Sequence, residues 1–408
     1  MRFLWLTTLL PYPPDSGGKM DTFYMLQEFS RMGHDISLGF FVFGDSNPEV
    51  PAELASLVKE IFFLKGNTKS LTSRLLGSLS DDVPFKFRKY YSDLAVQTVI
   101  DKVQSTGPDV ILVDHLHLAP LVFDARYAAR RSGLKFPPPV LRTHNVESTI
   151  VSKYAERVDN ILVKTFASRE ASKMKVYEAA AVSEFDLVAA ISPVDQTTLQ
   201  TLSHGKARII SVTAGVHTDT LVPSPNPPNP GEVNYVGTFD WQPNVDAASW
   251  FVEKVWPIVI QRLPNAHLSL VGKSPPPYLE KLAGPTISLT GRVDSIEEYV
   301  SKAECCVVPL WIGSGMRYKI LEAFALGKAV VSTSLGAEGI EITDGTHILL
   351  RNDPQSFASA VIEVLENPDL RDRLGTNARK LVEERYSWPD VARRFESSIE
   401  SLLGKGVG

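Results

Sequence analysis

The chain has 408 residues, 44% of them hydrophobic, and a formal net charge of −5. That length leaves room for two or three domains with buried cores, and the slight acidity excludes binding to nucleic acid by bulk charge. The two cysteines, Cys305 and Cys306, are adjacent in an apolar run, which excludes a disulfide framework or a cysteine metal site and reads as buried strand thiols suited to a reducing cytoplasm.

The N-terminal run Met1–Leu10 meets Pro11, Pro13 and Pro14 at once and lacks a small-residue cleavage site. It predicts a buried first strand over 2–8, with neither a signal peptide nor a transmembrane helix. The glycine loop Pro14-Asp15-Ser16-Gly17-Gly18 follows, then a helix, then Gly33-His34 before a second strand over 35–41. Further short apolar strands are expected at 110–113, 140–143, 187–191 and 208–212. The segment from Val222 to Gly231 carries five prolines and predicts a stiff linker over 223–231. Beyond it, strands are expected at 233–236, 267–271, 286–289, 305–309, 329–332 and 347–350. Helical patterns cover 244–261, 354–365 and 388–403. Apolar strands alternating with helices, once on each side of the linker, predict an α/β protein of two Rossmann-like doubly wound domains. Such domains bind ligands outside the carboxyl ends of their strands, here in a cleft across which the two face each other. The expected domains are 1–222 and 232–388, with a helix at 389–408 crossing back to the first.

Chemistry is concentrated after the linker. Cys305–Leu310 reads as a strand, Gly313-Ser314-Gly315-Met316 as a loop, and the apolar spacing of Ile320, Leu321, Ala323 and Phe324 as a helix. Free backbone N–H groups and the helix dipole favour an anion at such a junction. Arg317 and Lys319 place two cations in the first turn, against the dipole, which a bound phosphate or diphosphate explains. Glu322, one turn on, can accept hydrogen bonds from sugar hydroxyls. Strand-then-glycine turns recur at Gly237-Thr238, where a helix starting at Pro243 or Asn244 with an Asn cap is the plainer reading, and at Gly272-Lys273 and Gly291-Arg292-Val293. Together they put four glycine-bearing loops on one rim, with Lys273, Arg292, Arg317 and Lys319 as cations.

These features, with Val331-Ser332-Thr333, Gly336, Glu338 and Gly339, resemble the donor-binding domain of retaining glycosyltransferases of the GT-B fold, the large family-4 group. The resemblance covers most of 233–390 and is looser before the linker. It implies an acceptor-binding domain at 1–222, a donor-binding domain at 232–388 and a nucleotide-diphosphate sugar, UDP- or GDP-linked, as co-substrate. Glu322 takes the position of the second Glu of the family's E-x7-E motif, which contacts the nucleotide ribose. Ser314 stands where the first Glu usually contacts the donor sugar. The cations that many members carry after the first strand of this domain are absent from Thr238-Phe239-Asp240, so Arg317 and Lys319 are expected to neutralise the diphosphate instead. Gly17, Gly18, Leu321 and Met316 complete the implied donor contacts.

Before the linker, Asp114-His115-Leu116-His117 and His144-Asn145-Val146-Glu147 follow apolar strands. The resemblance puts Asp114 or His115 near the reacting sugar, and His144 and Glu147 are candidates to orient or deprotonate an acceptor hydroxyl. The His115–His117 spacing does not suit a zinc helix, and neither a metal nor another cofactor is expected. The expected reaction is therefore retaining, metal-independent hexosyl transfer in glycan biosynthesis, by positioning and leaving-group stabilisation rather than a covalent intermediate. The alternatives are a sugar-nucleotide epimerase or hydrolase of the same fold, or a non-catalytic nucleotide-sugar binding protein. Cations and rings interleave over 65–91 (Lys65, Lys69, Arg74, Lys86, Arg88, Lys89; Phe85, Phe87, Tyr90, Tyr91), and more cations follow over 126–175. They suggest solvated helix faces, or docking on the inner face of an anionic membrane by a cytoplasmic protein with a glycan, lipid-linked or small-molecule acceptor.

Overall fold

A computed structural model describes residues 1–44, 48–67, 70–158, 160–312 and 316–404. The chain divides into two compact units, Met1–Thr213 with Ala392–Gly408, and Ala214–Val391.

In the first unit the strands β1 (Arg2–Thr7), β2 (Asp35–Val42), β3 (Glu60–Lys65), β4 (Val110–Asp114), β5 (Pro139–Thr143), β6 (Leu187–Ala190) and β7 (Ile209–Ser211) form one sheet in the order β3-β2-β1-β4-β5-β6-β7. Every pairing in it is parallel. The order reverses between β1 and β4, which is where a doubly wound sheet opens a crevice at its carboxyl edge. Strand β3 was not expected. Its sequence, Glu-Ile-Phe-Phe-Leu-Lys, carries a charge at each end and seats at the edge of the sheet, where Phe62 and Leu64 are buried.

The second unit repeats the plan with β8 (Glu232–Val236), β9 (His267–Val271), β10 (Ile287–Leu289), β11 (Cys305–Val308), β12 (Ala329–Ser332) and β13 (Leu349–Leu350), in the order β10-β9-β8-β11-β12-β13. All of these pairs are again parallel, so the carboxyl ends of β8 to β11 share one edge. Cys305 and Cys306 are free, buried strand residues of β11; burial pushes both thiols up, that of Cys306 to about 12.

The helical stretch expected over 244–261 begins earlier and is broken. An α-helix runs Gln242–Trp250, a π-turn Phe251–Val255, and a second α-helix Trp256–Arg262. Pro257 has no N–H to continue the ladder, and a wider turn absorbs the defect.

The boundary between the units falls at Thr213–Ala214, ahead of the expected linker. The reason lies in residues 214–222. Val216 N donates to Tyr386 O at 2.7 Å, and Trp388 N returns a bond to Val216 O at 3.3 Å. Arg379 donates to the carbonyls of Thr218 (2.7 Å) and Leu221 (2.5 Å). The proline-rich segment therefore lies inside the second unit. At the far end, the helix Trp388–Leu402 takes the chain into the first unit, where Phe395 and Ile399 are fully buried and Phe395 packs on Phe29 at 5.8 Å.

Candidate active site

In the second unit the carboxyl edge of the sheet is built by close backbone approach. Gly237 N donates to Val271 O at 2.9 Å and Phe239 N to Lys273 O at 3.0 Å, so the two loops stay paired past the strands. Gly272 has φ +154°, and a Cβ there would lie 1.7 Å from the Gly237 carbonyl oxygen. Asn244 fills the space beneath Gly237. Rather than capping its helix, it sits inside it, donates to Thr238 O at 2.9 Å and accepts from Tyr235 Oη at 3.0 Å and Lys319 Nζ at 3.0 Å. Lys319 also stands 4.7 Å from the centre of the buried Tyr235 ring, a cation–π contact.

Gly313, Ser314 and Gly315 lie outside the described residues. The helix they lead to spans Tyr318–Ala325, so Arg317 sits at its N-cap rather than in its first turn. Arg317 is only 5% exposed, and Lys319 is half-buried. Burial pushes both cations down from their ordinary values, Lys319 to about 7; Arg317 adds to the shift at Lys319 and Glu322 opposes it. Burial also pushes the Glu322 carboxyl up, with Glu297 adding and Lys319 opposing. Glu322 lines a pocket of about 430 Å³ together with Leu221, Val293, Asp294, Ile296 and Glu297. The Leu321 side chain is fully buried in the core, which leaves it no part in side-chain binding, and Met316 packs partly buried against the same core. Lys273 and Arg292 are exposed on the neighbouring loops.

In the first unit the expected residues gather with partners that the sequence did not announce. Asp114 ends β4 and pairs in register with Arg142 of β5, which puts the two side chains next to each other. Asp114 is fully buried and saturated: Trp5 Nε1 and Thr22 Oγ1 each donate to Oδ2 at 2.9 Å, and Arg142 Nη1 donates to Oδ1 at 3.0 Å. Arg142 Nη2 donates to Asp21 Oδ2 at 2.6 Å. Burial alone would push the Asp114 carboxyl up, but the Arg142 charge and the His144 and His115 rings outweigh it and hold it well below the usual range. His144 lies between the two carboxylates, Nδ1 3.4 Å from Asp21 and Nε2 3.7 Å from Asp114, the second beyond hydrogen-bond reach.

His115 stacks on His144 at 4.1 Å and has φ +81°, an uncommon conformation for a side-chain-bearing residue. Burial, then the neighbouring His144, push it well below its ordinary value, so it is a neutral imidazole at pH 7. Glu147 stands apart from this cluster. Its Oε2 lies 3.6 Å from both His117 Nε2 and Lys86 Nζ. Gly17 opens the helix Gly17–Arg31 after the loop that follows β1, and a Cβ on Gly18 would meet nothing within 4 Å. Asp21 is one turn further on that helix. Asp21, Thr22, Trp5, Arg142, Asn244 and Tyr235 were not foreseen. Arg142 had a signal, a charge inside the apolar run Val140-Leu141-Arg142-Thr143; the others read as ordinary helix and strand residues.

Residues 231–367 match the family described as glycosyl transferases group 1. The chain carries a group 1 glycosyltransferase domain. That domain coincides with the edge bearing Gly237, Gly272, Arg317 and Glu322. Over nearly its full length the chain is similar to an uncharacterized 44.6 kDa protein in the cps region of Klebsiella pneumoniae, 23% identical over 94% of this chain and 96% of the other. Among solved structures it is similar to sucrose-phosphate synthase from Thermosynechococcus elongatus (TM-score 0.71, 16% identity, 100% of both chains). It is also similar to HepE of Anabaena in complex with UDP (TM-score 0.67, 16% identity, 98% of this chain and 100% of the other). Both likenesses place the glycosyltransferase domain in a GT-B fold.

Proposed function

We propose that this protein is a retaining, metal-independent glycosyltransferase that moves a sugar from a nucleoside-diphosphate donor to an acceptor hydroxyl. The observation that carries the reading is the pair of desolvated cations, Arg317 and Lys319, at the start of the helix Tyr318–Ala325, with Glu322 one turn on in the wall of the pocket. Cations held in a desolvated site favour an anionic ligand, and a diphosphate that gains charge as it departs is stabilised more in the transition state than before it. Glu322 takes the ribose hydroxyls. The UDP complex of HepE supports a uridine nucleotide.

The first unit is assigned to the acceptor. Since Asp114 is enclosed, His115 is the member of that pair placed to touch a ligand, as a neutral hydrogen-bonding group. Glu147, with His117 and Lys86, is the polar group placed to orient an acceptor hydroxyl. In the transfer the acceptor oxygen bonds to the anomeric carbon on the face from which the diphosphate departs, and the acceptor proton passes to the departing phosphate oxygen.

Titration calorimetry with UDP and GDP tests the donor site. Arg317→Ala should weaken nucleoside-diphosphate binding about tenfold or more, as expected for the loss of a charge-assisted contact; unchanged affinity would refute the assignment. Release of nucleoside diphosphate from a nucleotide sugar should require added acceptor. Release without it would point to a hydrolase.

A further inference from the structure

The cations and rings of 70–91 and their neighbours are largely occupied within the fold. Lys173 Nζ donates to the carbonyls of Ser78 (2.5 Å) and Val83 (3.3 Å) and pairs with Glu170. Arg88 pairs with Asp81, Lys89 stands over the rings of Phe43 and Tyr90, and Phe87 is fully buried. These side chains serve the packing of the first unit.

The exposed apolar residues concentrate at another place, the tip where the helix Glu147–Arg157 turns into the helix Ile161–Glu184. Three consecutive large aliphatics, Ile161, Leu162 and Val163, are 72%, 78% and 42% exposed, and Tyr154 on the preceding helix is 57% exposed. Scattered exposed aliphatics are ordinary, but a contiguous group at a tip marks a contact surface. The group is held in place: Asn160 Oδ1 accepts from the backbone N–H of Leu162 (3.0 Å) and of Val163 (3.2 Å), so the first helical turn is capped. Lys153 and Lys164 flank it and are exposed, with Arg169 further along, and among the described residues of the tip Glu156 is an exposed acidic side chain. No helix among the described residues is long and apolar enough to cross a membrane, so contact with a bilayer would be peripheral.

We propose that this helical tip is a docking surface for an anionic lipid bilayer, with Ile161, Leu162, Val163 and Tyr154 entering the interface and Lys153 and Lys164 meeting headgroup phosphates. Aliphatic side chains ringed by lysines, with an amphipathic tyrosine beside them, match that boundary, where apolar groups leave water while cations stay at the phosphates. The surface is independent of the donor site, and a bilayer-bound protein would meet acceptors displayed on lipid.

The test is sedimentation of the full chain with vesicles of equal parts phosphatidylglycerol and phosphatidylcholine, against phosphatidylcholine alone. The wild type should bind the anionic vesicles and be released by salt. The double variant Ile161→Ser/Leu162→Ser should bind about tenfold or more weakly, with the same melting temperature and the same nucleoside-diphosphate affinity. Lys153→Gln/Lys164→Gln should reduce anionic-vesicle binding as well. Equal binding by the wild type and the Ile161/Leu162 variant would overturn the proposal, as would wild-type binding to neither vesicle. A concentration-dependent dimer that the same variant dissolves would assign the tip to a second copy of the chain instead.

Discussion

Lys319 shows how a single residue links burial to ligand choice. Its amine is pushed down to about 7 by burial and by Arg317, with Glu322 opposing, while Asn244 accepts its hydrogen bond and the Tyr235 ring lies beneath it. The unfolded chain binds this proton up to about 10.4 and the folded chain only up to about 7, so burying the ammonium costs stability in full below about 7 and the cost is relieved as pH rises toward 10. Ligand binding has its own sign. Below about 7 the amine is already charged and adds no pH dependence of its own to diphosphate affinity. Above it, binding must draw a proton back, so affinity should fall with rising pH and proton uptake should appear as a buffer-dependent heat. Lys319→Arg keeps its charge at all these pH values and should flatten the profile; equal slopes in the two proteins would refute the role. The cation pair was legible in the sequence, because Arg and Lys at a helix start oppose the dipole. The Asn244 partnership was not, because Asn244 lies 75 residues away and reads as a cap.

Among the elements, the helix Glu147–Arg157 depends on a group far off in sequence. Glu178, fully buried in the helix Ile161–Glu184, accepts from the backbone N–H of Glu147 at 2.8 Å and of Ser148 at 3.0 Å. It supplies from outside what a local cap supplies elsewhere, since Val146 at the N-cap has no acceptor side chain. Burial pushes its carboxyl up, and those bonds work against the shift. Glu178→Ala should cost about 2–3 kcal/mol of unfolding free energy, measured by denaturant titration, since it strands two buried donors. Glu178→Gln, which keeps an acceptor, should cost less; equal losses would argue against capping. By the same close-contact reasoning, Gly272→Ala should abolish folding of the second sheet's edge, which loss of soluble yield or of the Tm transition would report. Strand periodicity placed most sheet elements within a residue or two. It missed β3 because four apolar residues between charged ends carry little alternation, and it missed the π-turn because a proline inside an apolar helix leaves the direction of repair open.

For the molecule as a whole, the two-unit plan was readable from repeated strand–helix alternation, but the place of division was not. Prolines signal stiffness, whereas the boundary follows hydrogen bonds from residues 216–221 to residues 379–388, which no local pattern reveals. The same long-range logic governs the C-terminus. The chain begins in the first unit, builds the second, and ends by contributing the final helix to the first. Phe395 packs on Phe29 and lies 5.9 Å from the Arg142 guanidinium, which is also 5.8 Å from the Trp5 ring. Glu396 Oε1 meets His34 Nε2 at 2.7 Å. The terminal helix therefore walls the cluster of Asp21, Asp114 and Arg142 that supports His115 and His144. Phe395→Ala should remove about 3–5 kcal/mol from the first unit by cavity formation. Because two units need not unfold together, a single transition is a poor readout. Hydrogen exchange resolved by peptide should show faster exchange in β1 and the helix Gly17–Arg31, with β8 and β11 unchanged. If the wall also positions the His115 stack, turnover should fall while nucleoside-diphosphate affinity in the second unit holds. Faster exchange with normal turnover would leave the helix a role in stability alone, and unchanged exchange would refute the packing argument itself.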